Sequence, residues 1–235
     1  MKLIVCSSSS AGNGYVLTSG EESLLIEAGV YKPMFKAAEN PVGCIVSHHH
    51  GDHAKYVAQI AKRTSIGGPK DTIDGLPSAI AFTSGQTYAF GQFFVTPFHV
   101  PHTNADESPC TSFGYLIRHQ QMGTMLFATD TFTLPYRFPN VNHFLIEANY
   151  SDEILNKQVD EGTTSFAQKK RIQLSHMSLH GCIESLRQCG VRSTRTITLC
   201  HISSRHADPT EFVHAVQSEF GVPTYAAKKG LEVEL

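Results

Sequence analysis

The chain has 235 residues, 41 % of them hydrophobic and 17 % charged, a profile that excludes a disordered polymer and allows a substantial core. Nineteen basic residues against twenty-one acidic ones leave a net charge of −2, so any nucleic-acid surface must be local. No apolar run approaches the roughly eighteen residues of a membrane span, and the opening "MKLIVCSSSS" is too short for a signal-peptide core. We read one domain over residues 1–235, with no membrane attachment and a cytoplasmic location.

In chain order, the runs "KLIVC", "YVLTS", "SLLIEAG" and "GCIVS" read as strands, rich in Val, Ile and Leu and bounded by Gly, Asn or Ser. "GDHAKYVAQIAKR" (residues 51–63) then reads as a helix, with Asp52 in its first turn. Further strands follow at "AIAFT", "QFFVTPFHV", "SFGYLIRH", "TMLFATD" and "HFLIEAN". The polar stretch 156–168 reads as a loop able to act as a lid. "SLHGCIESLRQCG" forms a helix closing on Gly190, "RTITLCH" a strand, and "DPTEFVHAVQSEFG" a helix closing on Gly221. "LEVEL" is a final strand. Strands such as "GCIVS", "TMLFA" and "ITLC" are apolar on both faces, which places them in buried sheet. Sheet stacked on sheet with helices outside is the architecture this order implies. The cysteines Cys6, Cys44, Cys110, Cys182, Cys189 and Cys200 contain no CxxC pair and read as buried thiols.

Groups able to bind metal recur where an apolar strand ends. "GCIVS" runs into His48, His49, His50, Asp52 and His53; "FFVTPFHVP" into His102; "TMLFAT" into Asp130; "HFLI" into Glu147; "TITLC" into His201. Strand ends on one edge of a sheet are the usual place for a site. Within His-x-His-x-Asp-His, His48 and His50 project to one side of an extended loop and His49 to the other. Asp52 and His53 diverge in the helical turn that follows, a layout suited to two neighbouring metals, with zinc fitting the ligand types.

These residues resemble the metallo-β-lactamase-fold superfamily, and within it the YycJ/WalJ-type branch. "SSSSAGNGYVL" is similar to that branch's "SGSSGN" loop, "SLLIEAG" to its "LLID(A)G" strand, and "PFHVPH" to its "PF-x-V-x-H" segment. "FATDT", "LIEANY", "KRIQLSHMSL" and "LCHISSRHADP" match later motifs, so the resemblance runs from about residue 6 onward. It implies an α/β, four-layer αββα sandwich. His48, His50 and His102 would bind one metal and Asp52, His53 and His201 a second, with Asp130 bridging. Two divalent ions per chain are expected, zinc foremost, with manganese or iron allowed by ligand type. His50 stands where oxygen-reducing di-iron relatives carry glutamate, which argues against redox chemistry. The chain departs from the branch at Tyr150, at His206 and at Ser175 before His176, all in the substrate-contacting shell.

The implied chemistry is hydrolysis by a hydroxide held between the metals, with Asp52 orienting it. His176 is expected to contact phosphate or act as general acid, at what reads as a strand-to-helix turn, and Glu147 to support a ligand histidine. His49 and His99 are read as non-ligating, and His180 and His214 as surface residues. The basic run Lys169, Lys170, Arg171 is where phosphate-backbone contacts would fall. The expected activity is that of a phosphodiesterase or nuclease, a 5′–3′ DNA exonuclease by the branch resemblance, acting on nucleic acid or nucleotide with DNA favoured. A cyclic-nucleotide phosphodiesterase or thioester hydrolase on the same metals is the alternative, and a non-catalytic binding protein the third. Only 71 positions separate Asp130 from His201, too few for the large clamping insert of CPSF/Artemis-type nucleases.

Overall fold

The computed structural model describes residues 1–235. Strands β1 (Lys2–Ser7), β2 (Gly14–Thr18) and β3 (Ser23–Ile26) form an antiparallel meander. Helix α1 (Lys32–Ala37) returns the chain to β4 (Pro41–Ile45), parallel to β3. Two single turns, α2 (Gly51–Ala54) and α3 (Val57–Ile60), lead to β5 (Ile66–Gly68), and α4 (Lys70–Ile73) leads to β6 (Ala79–Ala81). Both of these strands extend the sheet in parallel.

A second meander comprises β7 (Tyr88–Phe90), β8 (Phe93–His99), β9 (Phe113–His119) and β10 (Gly123–Ala128). Next to β10, in parallel, lies β11 (His143–Glu147). Helices α5 (Asp152–Asp160), α6 (Phe166–Ser175) and α7 (Leu179–Cys189) then precede β12 (Thr196–Cys200), again parallel. After α8 (Pro209–Phe220), β13 (Thr224–Ala226) closes this sheet, and β14 (Glu232–Glu234) crosses back to pair with β1. The sheets run β14-β1-β2-β3-β4-β5-β6 and β13-β12-β11-β10-β9-β8-β7.

Strand periodicity divides the core into three layers. Leu17, Leu24, Phe93, Tyr115, Phe127 and Leu145 pack between the two sheets. Val16, Leu25, Met34, Ile60 and Ile73 fill the space between the first sheet and α1, α3 and α4. On the far side Leu126, Phe144, Leu186, Phe212 and Val216 join the second sheet to α7 and α8. The result is helix, sheet, sheet, helix, as expected. At one edge the absence of a side chain sets the fit: a Cβ on Gly43 would lie 2.1 Å from the ring of Phe90.

Several local expectations need correction. The helix read over 51–63 is broken at Lys55–Tyr56, because Tyr56 N–H donates to Ala28 O (2.8 Å) and Ala28 N–H to His53 O (2.6 Å). Those tertiary bonds dock the segment against the end of β3 and outweigh helix continuity. The stretch 156–168 is largely helical, not loop: α5 runs through it and α6 opens on a capping box between Ser165 and Gln168. His176 caps the C-terminus of α6 and lies at a helix-to-helix junction, not a strand-to-helix turn. The α7 and α8 ends at Gly190 and Gly221 stand as read, and all six cysteines are buried and unpaired. No helix is long and apolar enough to cross a membrane.

Candidate metal centre

Five strand ends meet at one edge of the sandwich. The chain leaves β4 through Val46 and Ser47 to His48, β8 to His102, β10 to Asp130 and β12 to His201, while Glu147 is the last residue of β11. Asp130 (φ 48°) and His201 (φ 52°) are left-handed, a conformation that Asp and His tolerate better than most residues. It turns each side chain sharply off its strand and into the site. Such backbone costs on the order of 1–3 kcal/mol and persists where surrounding structure holds it.

The rings of His48, His50 and His102 converge, with centroids 4.5, 4.6 and 4.9 Å apart. His50 Nδ1 and His102 Nε2 face each other at 3.1 Å, and His48 Nε2 is buried with no partner. Behind them, His48 Nδ1 meets Ser47 Oγ at 2.8 Å and His50 Nε2–H donates to Asn104 Oδ1 at 3.1 Å. The outer nitrogens of these two rings are thus partnered while their inner nitrogens point at one another. Burial holds His102 down to about 4, and burial with the neighbouring His53 lowers His48, so both rings are neutral. Convergent imidazoles with inward-facing nitrogens are a donor set for a cation. Tetrahedral zinc–nitrogen bonds of 2.0–2.1 Å would set ligand nitrogens about 3.3 Å apart, close to the separation present.

The second group is mixed. His53 Nε2 lies 2.7 Å from Asp130 Oδ2 and 3.3 Å from Asp52 Oδ2, and His201 Nε2 lies 3.4 Å from Asp52 Oδ2. Asp130 reaches both ways, sharing one cluster with His48 and His53 and another with Glu147, His176 and His201. Burial opposes charge on His201, but Asp130, Asp52 and Glu147 overcome it and push the ring up to about 9. His53 is raised against burial by Asp130 and Glu27. Asp130 is lowered despite burial by His201 and His53. This chain therefore fits metal ions at the His/Asp cluster: the donors are convergent and of the right types, and all but the half-buried His50 and Asp52 are buried.

All seven expected ligands, His48, His50, Asp52, His53, His102, Asp130 and His201, come together here. His176 joins them, its Nδ1 2.8 Å from Glu147 Oε1 and 3.2 Å from Asp130 Oδ1. Against burial, these two carboxylates push its ring up to about 10. Glu147 also sits 3.2 Å from His201 Nδ1 and accepts Thr131 N–H at 3.0 Å, so it supports two rings at once. His49 is exposed and turned to Cys110 Sγ at 3.7 Å, forming a separate group with that thiol and His50, and His99, His180 and His214 are exposed. Lys169 and Lys170 engage Asn156 and Glu107, leaving Arg171 of that run against the site.

Sequence reading missed four contributors. Asn13 is fully buried and aims Nδ2 at His53 Nε2 (3.1 Å) and Asp52 Oδ2 (3.4 Å). Its Oδ1 accepts Ser9 N–H, which fixes that orientation. Glu27, buried and left-handed at φ 68°, lies 3.4 Å from His53 Nδ1 and accepts Ser47 N–H. Both stand in motifs the resemblance quotes, so a signal existed. Arg205 also lies in a quoted motif, "LCHISSRHADP", whereas Asn104 carried none.

The cluster opens into a cleft of about 630 Å³ lined by loop 102–105, the inner face of α6 and the turn 205–206. Asp52 is its only carboxylate, while Arg171 and Arg205 both border it.

No family model matches the chain. The exodeoxyribonuclease YycJ of Bacillus anthracis is 25 % identical over 85 % of this chain and 81 % of its own length. The metallo-β-lactamase fold protein YhfI from Bacillus subtilis superposes with a TM-score of 0.75 at 18 % identity, covering 99 % of each chain. This chain has the metallo-β-lactamase fold. The zinc-bound PqqB of Methylobacterium extorquens, also similar, matches at TM-score 0.72 and 13 % identity over the whole of both chains. The resemblance to the YycJ/WalJ-type branch of the metallo-β-lactamase fold, carried by the strand-end motifs, is borne out at this level.

Proposed function

We propose that the chain is a metal-dependent hydrolase of phosphodiester bonds, a nuclease with DNA as its favoured substrate and 5′–3′ exonucleolytic polarity. One observation carries it: Asp130 clusters with His48 of the nitrogen-rich triad and with His53 of the mixed one, next to a cleft lined by His50, His102 and a single carboxylate, Asp52. The similarity to a relative named exodeoxyribonuclease supports the same reading. His48, His50 and His102 would hold one divalent ion and Asp52, His53 and His201 the other, with Asp130 shared; zinc suits the nitrogen-rich set. Two such ions supply Lewis-acid polarisation and a nucleophile at neutral pH.

The chain's own residues supply the rest. Asn13 Nδ2 and His201 Nε2 both meet Asp52 Oδ2 at 3.4 Å, so the carboxylate is oriented before substrate arrives. His176 lines the cleft with its Nδ1 held by Glu147, and in this reading it would deliver a proton to the leaving oxygen. The unpaired buried cysteines support a cytoplasmic setting.

The test is incubation of metal-quantified protein with end-labelled single- and double-stranded DNA, RNA, cyclic nucleotides and a thioester, beside Asp52→Asn. Degradation of DNA from the 5′ end, lost in the variant, is expected. Turnover confined to cyclic nucleotides or thioester would replace the nuclease reading with the alternative. Full metal loading without any turnover would leave a binding protein.

A further inference from the structure

Two arginines face the cleft from different elements and neither has an acidic partner. Arg171 projects from the inner face of α6, on the same stripe as Gln168, Ile172 and Ser175. Arg205 borders the same cleft from the turn after β12, and neither guanidinium takes part in any of the chain's ion pairs. Neighbouring Lys170, by contrast, is paired with Glu107 at 3.1 Å. The Arg205 turn is built to hold its position. Arg205 N–H donates to Ser203 Oγ (3.3 Å), Gln158 Nε2 donates to Arg205 O (2.6 Å), and His206 Nδ1 meets Gln158 Oε1 at 2.5 Å.

A cleft of about 630 Å³ is larger than a single phosphodiester at the metal cluster needs. Two guanidiniums without acidic partners bordering one cleft suit phosphate, since each fork can donate two parallel hydrogen bonds. We propose that Arg171 and Arg205 form a second phosphate subsite, which binds the phosphate adjacent to the scissile one along a nucleic-acid strand. This inference rests on the phosphodiesterase reading and narrows it: the preferred substrate carries at least two phosphates, which a cyclic mononucleotide lacks.

The experiment compares metal-loaded wild-type protein, Arg171→Ala, Arg205→Ala and the double variant on three thymidine dinucleotides: unphosphorylated, 5′-phosphorylated and 3′-phosphorylated. In the wild type, kcat/KM for one phosphorylated form should exceed that for the unphosphorylated form tenfold or more. The double variant should reduce that advantage below threefold. Equal rates on all three in the wild type, or an advantage intact in the double variant, would overturn the subsite and leave the phosphodiesterase reading standing. No hydrolysis of any dinucleotide or of DNA by metal-loaded protein would remove both. Binding gives a readout without turnover. In chelator, the salt dependence of affinity for a labelled single-stranded 5′-phosphorylated oligonucleotide should be shallower in the double variant by about 0.7 in log–log slope, the share of one phosphate. An unchanged slope would also overturn the subsite.

Discussion

At the scale of single residues, the partners behind the ligands carry as much of the design as the ligands. Asn104 accepts from His50 Nε2–H and is itself anchored by Nδ2 donating to Ser108 Oγ (3.0 Å) and Pro109 O (3.2 Å). It thereby fixes the tautomer that leaves His50 Nδ1 as a lone pair facing the centre. Asn104→Ala should weaken metal affinity about 10–100-fold, the usual effect of losing such a partner, read by competition with a chelator of known affinity. An unchanged affinity would mean that the backbone alone orients His50. His176 calls for a different readout. If it delivers a proton to the leaving oxygen, His176→Ala should lower kcat on DNA about 10²–10⁴-fold. The loss should be far smaller on bis-p-nitrophenyl phosphate, whose leaving group departs without a proton. Equal losses on both substrates would assign His176 to holding Asp130 in place.

At the scale of elements, what the sequence disclosed follows the strength of the local signal. The helix over α8 was legible because Asp208, Pro209 and Gly221 mark both ends, and the structure shows Asp208 Oδ1 accepting Thr210 N–H (2.8 Å) and Glu211 N–H (3.2 Å). Asp208→Ala should therefore cost about 1 kcal/mol of stability in a urea titration, with activity unchanged, since the cap lies outside the metal cluster. The three-residue strands β5, β7 and β13 show no period-2 pattern of their own, and only their neighbours in the sheet define them. The break at Lys55–Tyr56 was invisible for a similar reason: its cause is a hydrogen bond to Ala28, remote in sequence. The box Ser165–Gln168 is another matter, a legible start signal obscured by the polar stretch around it. The convergence of the candidate ligands was legible on other grounds. They are a few residue types at strand ends, whereas Asn104 and Arg205 are ordinary polar residues whose surroundings exist only once loops and turns are placed.

At the scale of the whole molecule, buried ionisable groups tie stability to pH and to metal. His143 lies fully buried at the start of β11, its Nδ1 2.7 Å from Thr196 Oγ1, and burial together with Arg195 pushes the ring down to about 4. The unfolded chain takes up that proton near pH 6.5 and the folded chain only near 4, so stability falls as pH drops through this window. At pH 5 the loss is about 2 kcal/mol relative to pH 7.5. His143→Gln should show a drop smaller by that amount in urea titrations at the two pH values. An identical pH dependence in the variant would mean that the buried ring takes its proton as readily folded as unfolded.

Metal acts in the opposite sense, because the cluster holds its donors converged only in the folded chain. The groups of the centre come from both sheets and from positions 48 to 201, so an ion bound there links strand ends that separate on unfolding. An ion present at a hundred times its dissociation constant stabilises the folded state by about 2.7 kcal/mol. For a chain of this length each kcal/mol raises Tm by about 2–4 °C, so one ion is worth roughly 5–11 °C and two ions up to twice that. Exhaustive chelation should lower Tm by at least the single-ion amount, and readdition of zinc should restore it in two steps of different affinity. Asp52→Asn weakens only the mixed triad, so its melting curve should keep the step that belongs to His48, His50 and His102 and lose most of the other. Identical melting of chelated and zinc-loaded protein would show that the convergent histidines hold no resident ion, and the hydrolase reading would fall with them.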